Sequence, residues 1–302
     1  MKQRSRSARV WLTHPQRVPF REWLFRVHIW TGVLVGLYMA AMSLSGGVLV
    51  FYPQVHAFLL PHPKSLTPRK TTLSSEELRS AIEQNLPGAR INWIWARESP
   101  PGVAEVWLEY GGVERRIFVD ASTGANLGPV DSAGDSFLNE IKEFHRTLLL
   151  RNAGRVLNGV GAFFLVLSSC TGAVIWWPGN SRWRRHLFVR WGTRLRRFNW
   201  ELHSAVGVWA FPFMWMWGVT GIAITLDVDR GNQVTASAFG NQMERWIYAV
   251  HFGSFGGTVV RMIWAIVALA PPLLFVTGLI MWRNRIGARS RRLRSASRLQ
   301  SI

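Results

Sequence analysis

Four stretches of the chain are apolar and free of charge: residues 29–51, 156–177, 202–226 and 262–282. Each is long enough for the roughly 20 helical residues that cross a bilayer core. The first is 23 residues long. A secretory signal peptide carries a shorter apolar region and ends in a cleavage site, so residues 29–51 read as an uncleaved anchor. Between the first two stretches the pattern turns soluble. Ser74-Ser75-Glu76-Glu77 opens an amphipathic helix with Leu78, Ile82 and Leu86 on one face, and Pro87-Gly88 closes it. Three strands are predicted at 90–97, 104–110 and 115–119, with Gly111-Gly112 as a hairpin turn. Asp120 to Gly124 forms a tight turn with a polar side-chain cap. The pattern predicts an all-α membrane protein with four transmembrane helices and a small inserted α+β unit.

Charge orients these elements. The formal net charge is +19. Residues 1–27 hold seven Lys/Arg and one acid, 178–202 hold seven and one, and 283–302 hold seven and none. These three segments carry the whole excess, and each abuts the same end of an apolar stretch. That is the positive-inside pattern rather than a nucleic-acid surface, so no nucleic-acid partner is expected. Both termini are placed in the cytoplasm. The loop 52–144, with nine basic and twelve acidic residues, lies outside. The predicted order is a basic tail (1–27), a first span (28–52), an outer domain (53–140), and an interfacial segment with the second span (141–178). A basic loop (179–199), a third span (200–226), an outer loop (227–248), an interfacial segment with the fourth span (249–283) and a basic tail (284–302) follow. The 17 tryptophans suit a membrane boundary. One cysteine, Cys170, excludes an internal disulfide and reads as a small apolar core residue.

The chain repeats itself. His28 is followed by Gly32 at +4 and by Ser45-Gly46 at +17 and +18; His203 is followed by Gly207 and Thr220-Gly221 at the same spacings. His145 is followed by Arg155 at +10, Thr171-Gly172 at +26 and +27, and Trp176 at +31. His251 is followed by Arg261, Thr277-Gly278 and Trp282 in the same register. Spans 1–2 and 3–4 therefore read as a duplicated parallel hairpin, related by a two-fold axis along the membrane normal. The glycines read as positions of close helix packing.

The repeat places His28 and His203 near the cytoplasmic face and His145 and His251 near the outer face. One such histidine is an ordinary interfacial residue; four at equivalent positions, paired by face, suit a planar cofactor held between helices. Haem iron with two axial imidazoles needs such a pair, and two pairs predict two b-type haems. Asn152-Ala153-Gly154 and residues 253–257 are expected to break the helices, which leaves the outer histidines on short interfacial segments. Arg155 and Arg261 face the same zone and can meet a haem propionate, a lipid phosphate or simply the headgroups. His14, His56, His62 and His186 have no repeat partner and read as ordinary, although His56 and His62 lie outside, where a substrate could touch them.

The pieces His28-x-x-x-Gly32, Phe144-His145-Arg146 with Gly154-Arg155, Leu202-His203-x-x-x-Gly207 and Val250-His251 with Arg261 resemble the PepSY-associated transmembrane proteins of bacteria, also called iron-regulated membrane proteins. The outer unit resembles a PepSY domain through Ile117-Phe118-Val119-Asp120 and Thr123-Gly124. The resemblance covers about residues 20–285. It implies a bacterial cytoplasmic (inner) membrane protein with a periplasmic domain. Some relatives look like reductases that act on ferric siderophores with haems held by transmembrane histidines. By position, His28, His203, His145 and His251 are then the axial ligands.

Three functions follow as expectations. The first is a di-haem oxidoreductase, taking electrons from a cytoplasmic donor or quinol and passing them to a ferric chelate or siderophore outside. No Gly-x-Gly-x-x-Gly fingerprint is present for a nicotinamide or flavin. The second is a non-catalytic PepSY-type binding or regulatory protein. The third is a siderophore or solute permease, against which no span carries an Asp or Glu at its midplane.

Overall fold

The computed structural model describes residues 19–59, 72–96, 102–130, 133–180, 183–230 and 238–300. The chain forms two units, Met1–Val50 with Glu143–Ile302 and Phe51–Lys142. Among the described residues, four helical stretches are long and apolar enough to cross a membrane: Pro19–Leu49, Arg151–Trp176, Leu195–Leu226 and Ser254–Gly287.

In the membrane unit, span 1 is α1 (Pro19–Leu49). It starts nine residues before the expected His28, because Pro19 suits a helix start, where no amide donor is needed. The early start also lets the Arg21 guanidinium donate to the carbonyl of Ile175, at the far end of span 2. Helix termini leave such carbonyls without intrahelical partners. Span 2 is α5 (Arg151–Trp176), preceded by α4 (Ala133–Thr147). Span 3 lies in α6 (Leu195–Arg230), followed by α7 (Ala238–Phe252). Span 4 is divided into α8 (Gly257–Val267) and α9 (Ala270–Gln300). The expected single apolar run is broken there because Pro271 and Pro272 have no amide to donate. The Ala268 carbonyl, which Pro272 cannot reach, accepts instead from Ser43 Oγ of span 1 at 2.7 Å. A backbone group freed inside a membrane needs such a partner.

Spans 1 and 3 each pack against spans 2 and 4, so the bundle is a square with 1 and 3 on one diagonal and 2 and 4 on the other. Glycines permit the close approaches: Gly36 faces Phe275, Gly47 faces Ala268 and Gly218 faces Val166. Cys170 is exposed on span 2 rather than in the core, a correction to the sequence reading. An apolar environment on the lipid side satisfies it as well as a core would.

In the second unit, α2 (Tyr52–Leu59), α3 (Ser75–Asn85) and the antiparallel strands β1 (Arg90–Ala96), β2 (Val103–Tyr110), β3 (Val113–Asp120) and β4 (Asn126–Pro129) form a sheet ordered β1-β2-β3-β4. β4 extends the three expected strands. Ser74 caps α3 through a capping box with Glu77. Leu78 and Ile82 of α3 pack with Ile91, Val106, Leu108, Ile117 and Val119 on one face of the sheet. Gly124, at φ 68°, closes the turn after β3 where a Cβ would meet Ala81 at 2.7 Å. His56, Glu105 and Asp135 are buried in the same unit. Asp135 accepts from His56 at 3.1 Å and pairs with the Arg116 guanidinium, which lies 3.7 Å from Glu105. His56 is thus a buried residue hydrogen-bonded to Asp135, not the substrate-accessible group its position in the sequence allows. His14 and His62 lie outside the described residues.

Candidate functional site: two imidazole pairs

The structure brings the four repeat histidines together in two pairs. The rings of His28 and His203 lie with centroids 6.4 Å apart and planes at 80°. The rings of His145 and His251 are also 6.4 Å apart, with planes at 57°. His28 and His203 sit on the diagonal spans 1 and 3. His145 and His251 sit on α4 and α7, the helices that lead into spans 2 and 4.

Each ring is held by the Ser/Thr-Gly pair of the antiparallel neighbour. His28 Nδ1 lies 3.2 Å from Thr171 Oγ1, and His145 Nδ1 lies 3.0 Å from Ser45 Oγ. His203 Nδ1 lies 2.8 Å from Thr277 Oγ1, and His251 Nδ1 lies 2.8 Å from Thr220 Oγ1. The glycine that follows each hydroxyl residue lies under the same ring. A Cβ on Gly46 would come within 2.8 Å of His145 Cε1, one on Gly172 within 3.1 Å of His28, one on Gly278 within 3.3 Å of His203, and one on Gly221 within 3.9 Å of His251. Sequence reasoning assigned these glycines to helix packing alone; their recurrence at +18 and +27 from a histidine was visible, but each one's contact with a histidine of the neighbouring span was not.

The hydrogen bonds fix the tautomer. Each hydroxyl spends its proton on its own helix: Thr171 on Leu167 O (2.8 Å), Thr220 on Met216 O (2.8 Å), Thr277 on Leu273 O (2.7 Å) and Ser45 on Met42 O (3.0 Å). It can then only accept from the imidazole, so Nδ1 carries the hydrogen. Two backbone carbonyls, which only accept, agree: Ser168 O lies 3.2 Å from His28 Nδ1, and Met42 O 3.1 Å from His145 Nδ1. In His28 and His145 the carbonyls leave Nε2 with its lone pair, the state a metal ligand requires, and the same hydroxyl contact in His203 and His251 favours that tautomer there.

The elements that carry the His145–His251 pair are also fixed. Leu148, Leu149 and Arg151 have φ of 50°, 62° and 53°, and reverse the chain between α4 and α5. Non-glycine residues adopt this region at a cost of order 1–3 kcal/mol each. The helix break thus falls before the expected Asn152–Gly154. Gly154 belongs to α5, where it passes so close to the Thr147 carbonyl that no side chain fits. Asn158 Nδ2 donates to His145 O at 2.8 Å, and Tyr38 OH donates to Asn158 Oδ1 at 2.9 Å. Trp264, which follows His251 at the offset by which Asn158 follows His145, donates from Nε1 to Val250 O at 3.1 Å. Two different side chains hold the C-terminal ends of α4 and α7 in the same way.

Arg155 and Arg261 are half-buried near the starts of α5 and α8. Arg155 Nη2 reaches Asn152 Oδ1 at 3.4 Å.

Chemically, each pair offers two neutral imidazoles at a defined separation. A metal–nitrogen bond of about 2 Å on each side, plus roughly 1.1 Å from nitrogen to ring centre, places two ligating rings about 6.2 Å apart. Both pairs match that spacing. Among the described residues no cluster of three or more His, Cys, Asp or Glu could hold a metal ion.

These features define a multi-pass membrane protein whose bundle is organised around paired imidazoles. A family model described as PepSY-associated TM region matches residues 25–240 and 228–285, and the chain belongs to that family. No curated protein shows significant similarity to it.

Proposed function

We propose that the bundle binds two haems, one through His28 and His203 and one through His145 and His251, and that the protein carries electrons across the membrane. The observation that carries this reading is the fourfold recurrence of one contact. A histidine Nδ1 rests on a Ser/Thr hydroxyl, a glycine lies beneath the ring, and the rings are paired at 6.4 Å. Two protein ligands per site suit a metal that already has four equatorial nitrogens, whereas a bare ion asks for three or four protein ligands. Bound haem would supply reversible one-electron chemistry. This chain's residues would supply neutral ligands in one tautomer, fixed by Thr171, Thr277, Ser45 and Thr220. Arg155 and Arg261 are candidate partners for carboxylates near the outer pair.

The same contacts support reading spans 1–2 and 3–4 as a duplicated hairpin with a PepSY-like unit inserted in the first copy. The basic segments favour cytoplasmic termini, which would put that unit in the periplasm of a bacterial inner membrane. Electrons would then enter from a cytoplasmic donor or quinol and leave to ferric iron, free or in a siderophore, at the outer face. Typical oxygen chelators hold Fe(II) far less tightly than Fe(III), so reduction would release it.

Protein purified from haem-replete cells tests the reading. We expect a Soret band that shifts on dithionite, and about half the haem in either His28→Ala or His251→Ala. Colourless wild-type protein overturns it. Reduction of a ferric chelate by the reconstituted protein then tests the enzymatic claim.

A further inference from the structure

Residues 183–193 fold back against the start of α6 and border an open cavity of about 250 Å³. It lies at the end of the bundle that carries His203. Its lining includes Arg185, Phe188, Arg190, Arg197, Trp200 and Glu201. Trp209 Nε1 anchors the returning chain by donating to Leu187 O at 3.1 Å.

The charges in this cavity do not balance. Glu201 is the one carboxylate of the lining and is buried, 4% exposed. It accepts from the Arg190 backbone amide at 3.0 Å, from Arg190 Nε at 3.1 Å and from Arg197 Nε at 3.0 Å, and Arg190 Nη2 also reaches it. One buried anion therefore holds two guanidinium groups side by side. Those bonds leave Arg190 Nη1 and both terminal nitrogens of Arg197 unused. Arg185, on the opposite stretch of the lining, has no ion pair among the described residues. Three guanidiniums against one carboxylate give the cavity a net charge of +2. Guanidiniums held in a fork present paired N–H donors matched to a phosphate or carboxylate. Trp200 and Phe188, 46% and 65% exposed, flank the opening. Aromatic residues with arginines at a span's end mark the headgroup level of a membrane.

We propose that this cavity binds a phosphate group, with Arg185, Arg190 and Arg197 as its donors and Glu201 as the internal anion that positions two of them. The phosphate belongs to a lipid headgroup or to a soluble phosphate ester; the chemistry is the same. The inference is independent of any cofactor at the imidazole pairs.

The test uses the full chain in neutral detergent at constant ionic strength. Inorganic phosphate and, separately, a short-chain phosphatidylglycerol are titrated, with chloride as the control. The thermal midpoint and native mass spectrometry read binding. Saturable stabilisation by either ligand and not by chloride is expected. A response to phosphatidylglycerol alone identifies the lipid, and a response to inorganic phosphate identifies a soluble ester. Arg185→Ala should raise the half-saturating concentration about tenfold, and Arg185→Lys, which keeps the charge and loses the fork, by less. Arg194→Ala removes the same charge from an exposed position of the same loop outside the lining. It should shift the curve by no more than about twofold. Equal loss in Arg185→Ala and Arg194→Ala would mean diffuse attraction to a basic loop and overturn the proposal. So would the lack of a saturable response to both ligands.

Discussion

Replacing the four ring-facing glycines by alanine gives a graded test, because their distances to the rings differ. Alanine in a helix gains up to about 1 kcal/mol over glycine. Against that stands overlap with the imidazole. Carbon atoms attract best at about 3.5–4.0 Å. At Gly221 the new Cβ would meet His251 Cε1 at 3.9 Å and Ala162 Cβ at 3.4 Å, near ordinary contact. Gly221→Ala should therefore be neutral or stabilising. At Gly46 the Cβ would stand 2.8 Å from His145 Cε1. That ring cannot retreat without breaking its bonds to Ser45 Oγ (3.0 Å) and Met42 O (3.1 Å). Overpacking of this kind costs about 1–3 kcal/mol, which exceeds or cancels the helix gain. Gly172→Ala and Gly278→Ala, at 3.1 and 3.3 Å, fall between. Thermal unfolding in detergent should rank the variants Gly221, Gly278, Gly172, Gly46 from most to least stable, with haem content in the same order. If Gly221→Ala is as damaging as Gly46→Ala, the glycines serve helix packing and the ring contact is incidental.

Other outcomes follow from single contacts. Thr277→Val keeps the side-chain shape but removes the acceptor 2.8 Å from His203 Nδ1. It should weaken haem retention at that end about 10–100-fold against a competing haem acceptor, with Thr277→Ser restoring it. In the second unit, Asp135→Asn leaves Arg116 and His56 without their shared carboxylate. Breaking a buried pair costs about 3–5 kcal/mol, so hydrogen exchange across residues 102–130 should speed up strongly; unchanged exchange would refute the pairing. Hydrogen bonds from the Ser74 backbone and hydroxyl hold the Glu77 carboxyl below its ordinary pKa. Its capping contribution is then complete above the ordinary carboxylate range and is lost as pH falls through the lowered value. Amide exchange at the start of α3 should accelerate in acid, and Glu77→Gln should flatten that dependence.

Much of the bundle could be read from the chain because a bilayer imposes length and apolarity. The fourfold spacing of His28, His145, His203 and His251 was visible because it is carried by residue identity. What stayed hidden depends on contacts between distant segments. The reversal at Leu148 and Leu149 uses left-handed backbone at leucines, which no propensity favours. The break in span 4 had a local signal in Pro271-Pro272, but its partner, Ser43, lies on another span. The role of Glu201 could not be anticipated, since its partners Arg190 and Arg197 lie among seven Lys/Arg of one basic stretch. The burial of His56 likewise depends on Asp135, 79 residues away.

The imidazole contacts also divide cleanly between the two halves of the bundle. His28 leans on Thr171 and His145 on Ser45, both within spans 1–2; His203 leans on Thr277 and His251 on Thr220, both within spans 3–4. Each half thus orients its own two rings and needs the other only to face them. On the duplicated-hairpin reading proposed above, a single hairpin meeting a second copy of itself would assemble both pairs. The halves also differ: serine stands at 45 where the other three positions have threonine, asparagine at 158 bonds the His145 carbonyl where tryptophan at 264 bonds that of Val250, and the folded unit 51–142 lies in the first half alone.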